Sequence, residues 1–249
     1  MAVSGGAVVG FLALWEVLAA TGLVNPTFSS SPSRIATTGF ALLSSGELTH
    51  DLVTSGIEFA CGYLLAIAVG VPFGLALGWY RRLYYLCGPF IDVLNAVPRV
   101  TLLPIIIIWF GIGLWSKIAV VFLGAVIPIL INTYSGVKTN EQRFLGVARS
   151  FGASEFMIFR TVVLPGTMPY IFTGLKYASG RALLGVIVAE LYAATAGIGN
   201  FITVAGNTLQ TDKVFVGILI VTGVGLLTVE ALNRLERRFD VWKPKVGSA

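Results

Sequence analysis

Apolar residues run along this chain in blocks longer than soluble elements need, and charged residues mark where the blocks stop. Stretches without Asp, Glu, Lys or Arg extend over Phe59–Tyr80, Val100–Ser116, Ile118–Val137, Leu191–Thr211 and Val214–Val229. Met1–Val24 is broken only by Glu16, and the apolar segment Tyr170–Ala194 carries Lys176, Arg181 and Glu190 inside it. A helix rises about 1.5 Å per residue, so roughly 20 apolar residues cross the hydrocarbon of a bilayer. The pattern predicts six spans, at about 6–23, 51–80, 86–110, 117–136, 169–194 and 213–235. Thr195–Thr211 is apolar enough for a seventh. Its Gly197, Gly199, Asn200, Gly206 and Asn207 instead favour a loop or a short re-entrant piece packed against protein. The first block has no basic n-region and holds Glu16, which favours a retained helix over a cleaved signal.

Composition sharpens this reading. Of 249 residues 56% are apolar and 12% charged, against about a quarter charged in soluble globular proteins, and the mean hydropathy is +0.86. A soluble fold and a disordered chain are both excluded. Two cysteines, Cys61 and Cys87, are too few for a disulfide scaffold, and with the single His50 they make no metal site. With the N-terminus inside, the cytoplasmic segments hold Arg81, Arg82, Lys138, Arg143, Arg149, Arg160, Arg234, Arg237, Arg238, Lys243 and Lys245. The outer segments hold only Arg34, Lys117 and Lys213. Eleven against three predicts both termini in the cytoplasm. The net charge of +5 then reflects topology and anionic lipid headgroups and calls for no nucleic acid. The expected organisation is one transmembrane domain, 1–249, with a cytoplasmic segment at about 138–168 and a cytoplasmic tail at about 236–249.

Three features inside the spans bear on mechanism. Gly62, Ala66, Gly70, Gly74 and Gly78 follow one another every four residues, lining one helix face with small residues for a close contact within or between subunits. Pro98, Arg99 and Pro104 interrupt the third predicted span. Each proline frees a carbonyl, and an arginine at that level needs a cavity or a partner. A translocation path and a structural kink, with Arg99 snorkelling or paired to Asp92, both fit. In the fifth predicted span Lys176 and Glu190 share a face about 21 Å apart, and Arg181 is the most deeply placed. Lys176, two turns from Pro169, can reach back to the cytoplasmic interface. Three buried cations, Arg99, Lys176 and Arg181, favour an anion if they line a path.

The most informative segment is polar. Lys138–Met168 reads as two short amphipathic helices hinged at Gly152, with Phe144, Leu145, Ala148 and Phe151 before the hinge and Phe156, Ile158 and Phe159 after it. Pro165 would end the unit and Pro169 open the next helix. Such an aromatic-bearing hairpin suits a docking surface for another protein.

These residues resemble the permease subunits of type I ABC importers, whose cytoplasmic signature is Glu-Ala-Ala, three residues, Gly, nine residues, Ile, one residue, Leu-Pro. The match is Ala148, Gly152, Val162, Leu164 and Pro165. Gly146 stands where the family usually has Glu and Val147 where it usually has Ala, so the acid expected to pair with the ATPase is missing. Ala96-Val97-Pro98-Arg99, Leu103-Pro104, Trp109-Phe110-Gly111-Ile112-Gly113, Ala189-Glu190 and Gly197-Ile198-Gly199 look like the sulfonate, taurine, nitrate and bicarbonate branch. Relatives there also carry pyrimidine precursors, riboflavin or aromatic acids.

The resemblance implies an all-α membrane protein with the type I importer transmembrane fold in a prokaryotic inner membrane. A second permease subunit, expected to be another copy of this chain, would complete the path. Two ATPase subunits would hold ATP and Mg, and an extracytoplasmic binding protein would deliver a small anion. Ala148, Arg149, Gly152, Ala153, Leu164 and Pro165 would couple to the ATPase; Pro98, Arg99, Pro104, Trp109, Arg181 and Glu190 would line the path. The chain itself would bind no cofactor and catalyse nothing: it contains no G-x-x-x-x-G-K-[ST] loop. A membrane enzyme would need clustered acids or histidines, which are lacking, and an ion-driven carrier would not need the hairpin.

Overall fold

A computed structural model of the chain describes residues 2–193 and 195–239, and every regular element among them is helical. Ala194, the tail beyond Phe239 with Lys243 and Lys245, and the side chains of Arg143, Phe144 and Leu145 lie outside the described residues. The apolar first block forms α1 (Ala2–Ala20), followed by the single turn α2 (Pro26–Ser29) and α3 (Pro32–Ser44). Ser31 caps α3, its side chain accepting from the Arg34 N–H, and Pro32 starts the helix where its missing donor costs nothing. The long α4 (Thr49–Trp79) leads to α5 (Arg81–Ala96), a 3₁₀ turn (Arg99–Leu102) and α6 (Leu103–Phe110). Then come α7 (Leu114–Ser150), α8 (Glu155–Ile158), a π-helical turn (Phe159–Val163), α9 (Leu164–Ala193), α10 (Ile198–Asn207) and α11 (Thr211–Arg237).

Four stretches are each long and apolar enough to cross a membrane: Thr49–Trp79, Leu114–Thr139, Glu155–Tyr192 and Thr211–Arg237. The third predicted span is not one helix. Arg81–Ala96 and Arg99–Phe110 meet at a bend of 93°. Val97, the residue before Pro98, is extended at ψ 126, because a following proline ring disfavours the helical region. The first block gives a shorter apolar helix, Gly5–Ala20, and α10 is a ten-residue helix where no seventh span was expected.

The expected polar linker is also corrected. The fourth predicted span does not stop near residue 136; α7 continues unbroken for 37 residues, about 55 Å, and its last turns outrun the hydrocarbon. Pro165 and Pro169 do not bound helices either. Pro165 follows the π turn as the second residue of α9, and α9 runs on through Pro169.

The residues fall into two compact units. One comprises the chain up to Ile57 with Ile187–Val224; its core gathers Ile35, Leu42, Leu48, Ile198 and Val216. Glu16, the one acid of α1, accepts from the Ser33 N–H at 3.0 Å and its hydroxyl at 2.6 Å, which ties α1 to the start of α3.

The other unit comprises Glu58–Val186 and the chain from Gly225, with α7 at its centre. The small-residue face of α4 meets a second column on α7 spaced by the same four residues. A Cβ added to Gly62 would lie 2.6 Å from Val121, to Gly70 3.0 Å from Ile129, to Gly74 2.7 Å from Thr133 and to Gly78 2.4 Å from Val137. The contact is therefore within the subunit. Glycines also bring α7 and α9 together: Cβ atoms at Gly136 and Gly174 would meet Tyr170 at 2.6 Å and Asn132 at 2.8 Å. Tyr63 of α4 donates its hydroxyl to the Leu175 carbonyl of α9 at 2.8 Å.

This close approach predicts a sharp size dependence. Gly78→Leu should destabilise the purified protein by about 1–3 kcal/mol, as overpacking does, whereas Gly180→Leu, with open space around it, should leave thermal unfolding in detergent nearly unchanged. A Val137→Ala change made together with Gly78→Ala should recover much of the loss of Gly78→Ala alone; equal losses in both backgrounds would break the proposed contact.

Candidate functional site

The hairpin after the fourth span is closed by its backbone. Gly152 has φ 77, its N–H bonds the Arg149 carbonyl at 2.9 Å, and the Ala153 N–H bonds the Ala148 carbonyl at 3.2 Å. This is the paired arrangement that satisfies the last carbonyls of a helix around a left-handed glycine. Ser154 then caps α8, its hydroxyl accepting from the Met157 N–H at 3.3 Å. Arg149 clasps both carboxylate oxygens of Glu155 across the hinge, at 3.0 and 3.3 Å. Both side chains are more than half exposed, so the pair adds at most about 1 kcal/mol.

Apolar side chains of the hairpin divide between two faces. Ile158 and Val163 are buried with Val137 of α7, and Ala148, Ala153, Phe159 and Val162 pack against them. Trp79 at the end of α4 meets the Phe159 ring edge-on at 5.3 Å. Phe151, Phe156, Met157 and Val147 point outward; Phe151 is 86% and Phe156 72% exposed. Of the apolar residues named after the hinge, Ile158 and Phe159 thus hold the hairpin to its own helices, while Phe156 stays exposed. Leu164 and Pro165 are half-buried at the start of α9.

Around the bend, Pro98 precedes the 3₁₀ turn and Pro104 sits in the first turn of α6, where it starts a helix. Trp109 is 74% exposed. The Arg99 guanidinium donates to the Asn95 side chain at 3.4 Å, and Arg99 is within electrostatic reach of Arg181 and Tyr177. Arg181 donates to the Tyr177 hydroxyl at 2.7 Å and lies over that ring at 5.3 Å. Tyr177 thus bears directly on Arg181, and Arg99 stands within electrostatic reach of both. Lys176 is paired with Glu236.

Glu190 belongs to the other unit and is 1% exposed, accepting from Ser55 Oγ at 2.5 Å and the Gly199 N–H at 2.6 Å. The sequence reading missed Ser55 and Asp51 beside it. It also missed a buried ion pair, Lys117 Nζ to Glu58 Oε1 at 2.6 Å. Lys117, counted among outer-side charges, is 6% exposed. Both members flank charge-free blocks, and the only signal that would have joined them is the α4–α7 register itself, since Gly62 meets Val121 one turn further on.

Residues 70–241 match the family described as binding-protein-dependent transport system inner membrane component. SsuC of Bacillus subtilis (strain 168), a permease assigned to aliphatic sulfonates transport, is 35% identical over 93% of this chain and 84% of its own length. The taurine transport system permease protein TauC of Escherichia coli (strain K12) is 31% identical over 97% of this chain and 90% of its own. Among solved structures, a chain from inward-facing conformations of the MetNI methionine ABC transporter aligns with a TM-score of 0.63. It covers 76% of this chain and 94% of that one, at 18% identity, a likeness of fold.

The hinge predicts its own sensitivity. A β-branched residue at 152 must hold a left-handed backbone, which costs about 1–2 kcal/mol, although the space beside Gly152 is open. Gly152→Val should speed amide exchange at residues 152–153 by roughly tenfold, and Gly152→Asn, more tolerant of that conformation, by clearly less. Equal exchange in all three proteins would detach the closure from the glycine.

Proposed function

The chain belongs to the binding-protein-dependent transport system inner membrane components, and on that premise we propose that it forms half of the path by which an ATP-driven importer takes up a small sulfonate. It is the permease subunit of an ABC importer, which works with a separate ATPase and a substrate-binding protein and is itself not catalytic. The carrying observation for the substrate is the similarity, along nearly the whole chain, to permeases named for aliphatic sulfonates and taurine.

In this reading two copies of the chain face each other, and two ATPase subunits bind ATP and Mg beneath them. The Lys/Arg distribution supports a cytoplasmic hairpin and cytoplasmic termini. Phe151, Phe156 and Met157 supply an exposed apolar face for docking the ATPase. Ala148, Ala153, Leu164 and Pro165 hold that face in place; Gly152 and Arg149 set its angle. ATP binding draws the ATPases together and moves the hairpins. Because α7 runs without a break from Leu114 to Ser150, the displacement enters the membrane along one helix and switches the path between two states. On the path, Arg99 and Arg181 attract the anion, with Pro98 and Pro104 shaping the bend and Trp109 beside it.

Reconstituted with its ATPase and binding protein, the importer should hydrolyse ATP faster in the presence of taurine or a short alkanesulfonate. Stimulation by neither ligand, in a complex with basal hydrolysis intact, would overturn the substrate. Replacing both Arg99 and Arg181 with Gln should cut sulfonate uptake by tenfold or more at unchanged membrane yield; uptake that survives would remove the two arginines from the path. Gly152→Val should lower substrate-stimulated hydrolysis while the subunit still inserts, and unchanged stimulation would separate the hairpin from coupling.

A further inference from the structure

Three successive backbone N–H groups open α10, and each meets a side chain. The Gly197 N–H donates to Asp51 Oδ1 at 2.7 Å, that of Ile198 to Ser55 Oγ at 2.9 Å and that of Gly199 to Glu190 Oε2 at 2.6 Å. Ser55 in turn donates its proton to the second Glu190 oxygen. These are the donors that any helix start leaves without an intrahelical partner.

Room for the carboxylate exists only because two residues lack side chains. A Cβ on Gly197 would lie 2.2 Å from Glu190 Oε1, and one on Gly199 would lie 2.8 Å from Glu190 Cβ. Gly197 also holds φ 115 at the turn into the helix. Glu190 and the Gly-Ile-Gly run, separate stretches in the sequence, are therefore the two halves of one clasp.

We infer that Glu190 is the positioning residue of α10, holding the start of that helix as a hydrogen-bond acceptor in a glycine cradle rather than meeting substrate as a charge. A carboxylate only accepts. Here both oxygens have donors on α4 or α10, and the group is buried among them. An amide of the same shape offers one acceptor to Gly199 and donates to Ser55, which keeps the clasp without the charge. An alanine removes it. This role concerns the same permease as the reading above, but its first readout needs no substrate.

In the purified permease–ATPase complex, amide exchange over residues 197–199 should rise at least about tenfold for Glu190→Ala and stay within about twofold of the parent for Glu190→Gln. Sulfonate uptake should follow the same order, with Gln rescuing what Ala loses. Gly199→Ala should also speed that exchange, whereas Gly206→Ala, near the other end of α10 with open space around it, should not. Unchanged exchange in Glu190→Ala would overturn the clasp. Uptake falling as far in Glu190→Gln as in Glu190→Ala, with exchange preserved in Gln, would overturn the positioning role in favour of a charge on the path. Should no variant, nor the parent, transport a sulfonate while the exchange pattern holds, the substrate reading fails and the clasp stands.

Discussion

Helices inside a bilayer gain nothing from leaving lipid for one another's apolar surfaces, so what keeps them together is how closely their backbones approach. In this chain that constraint falls on α7. Gly62, Gly70, Gly74 and Gly78 of α4 admit its β-branched ridge of Val121, Ile129, Thr133 and Val137, and glycines at 136 and 174 bring α9 against it. Across its apolar window α7 is 67% buried, against 11% for α11. The element most firmly held in the membrane is also the one that extends to the hairpin. The hairpin that carries Phe151 is therefore continuous with the helix on which α4 and α9 pack.

The hairpin separates two tasks that its composition blends. Ile158, Val163 and Val137 attach it to the membrane helices, while among the described residues Phe151, Phe156 and Met157 stay exposed. Its angle comes from the Gly152 closure more than from the Arg149–Glu155 pair, which solvent weakens. Attachment, angle and contact can thus be altered one at a time.

Period and punctuation in the sequence carried unequal information. The small-residue face was legible because five positions repeat every four residues, and the main spans because charge is excluded over whole crossings. Helix ends were not. Lys138 marks where the chain leaves hydrocarbon, not where hydrogen bonding stops, so α7 continues for three more turns. Pro98 was visible as an interruption, but the 93° turn depends on Val97 being extended. The orientation of Ile158 and Phe159 was hidden because a four-residue helix and a π turn change which face points outward. Glu58 and Lys117 read as the edges of apolar blocks, and Glu190 as a charge within one. Their partners lie 59 residues apart in the first case and 135 for Ser55 in the second, distances at which a single sequence carries no pairing signal.

Those separations bear on how the protein is made. Glu58 emerges from the ribosome 59 residues before Lys117, and Lys176 appears 60 residues before Glu236. An unpaired charge costs about 2.5–3.5 kcal/mol at the centre of an inserting helix and less towards its ends, where Glu58 lies. Until its counterpart is translated, each charge is without the partner it has in the folded chain. The order of synthesis thus gives α4 its neutralising partner only when α7 is made, and α9 its partner only when α11 is, so that charge compensation links distant helices rather than successive ones.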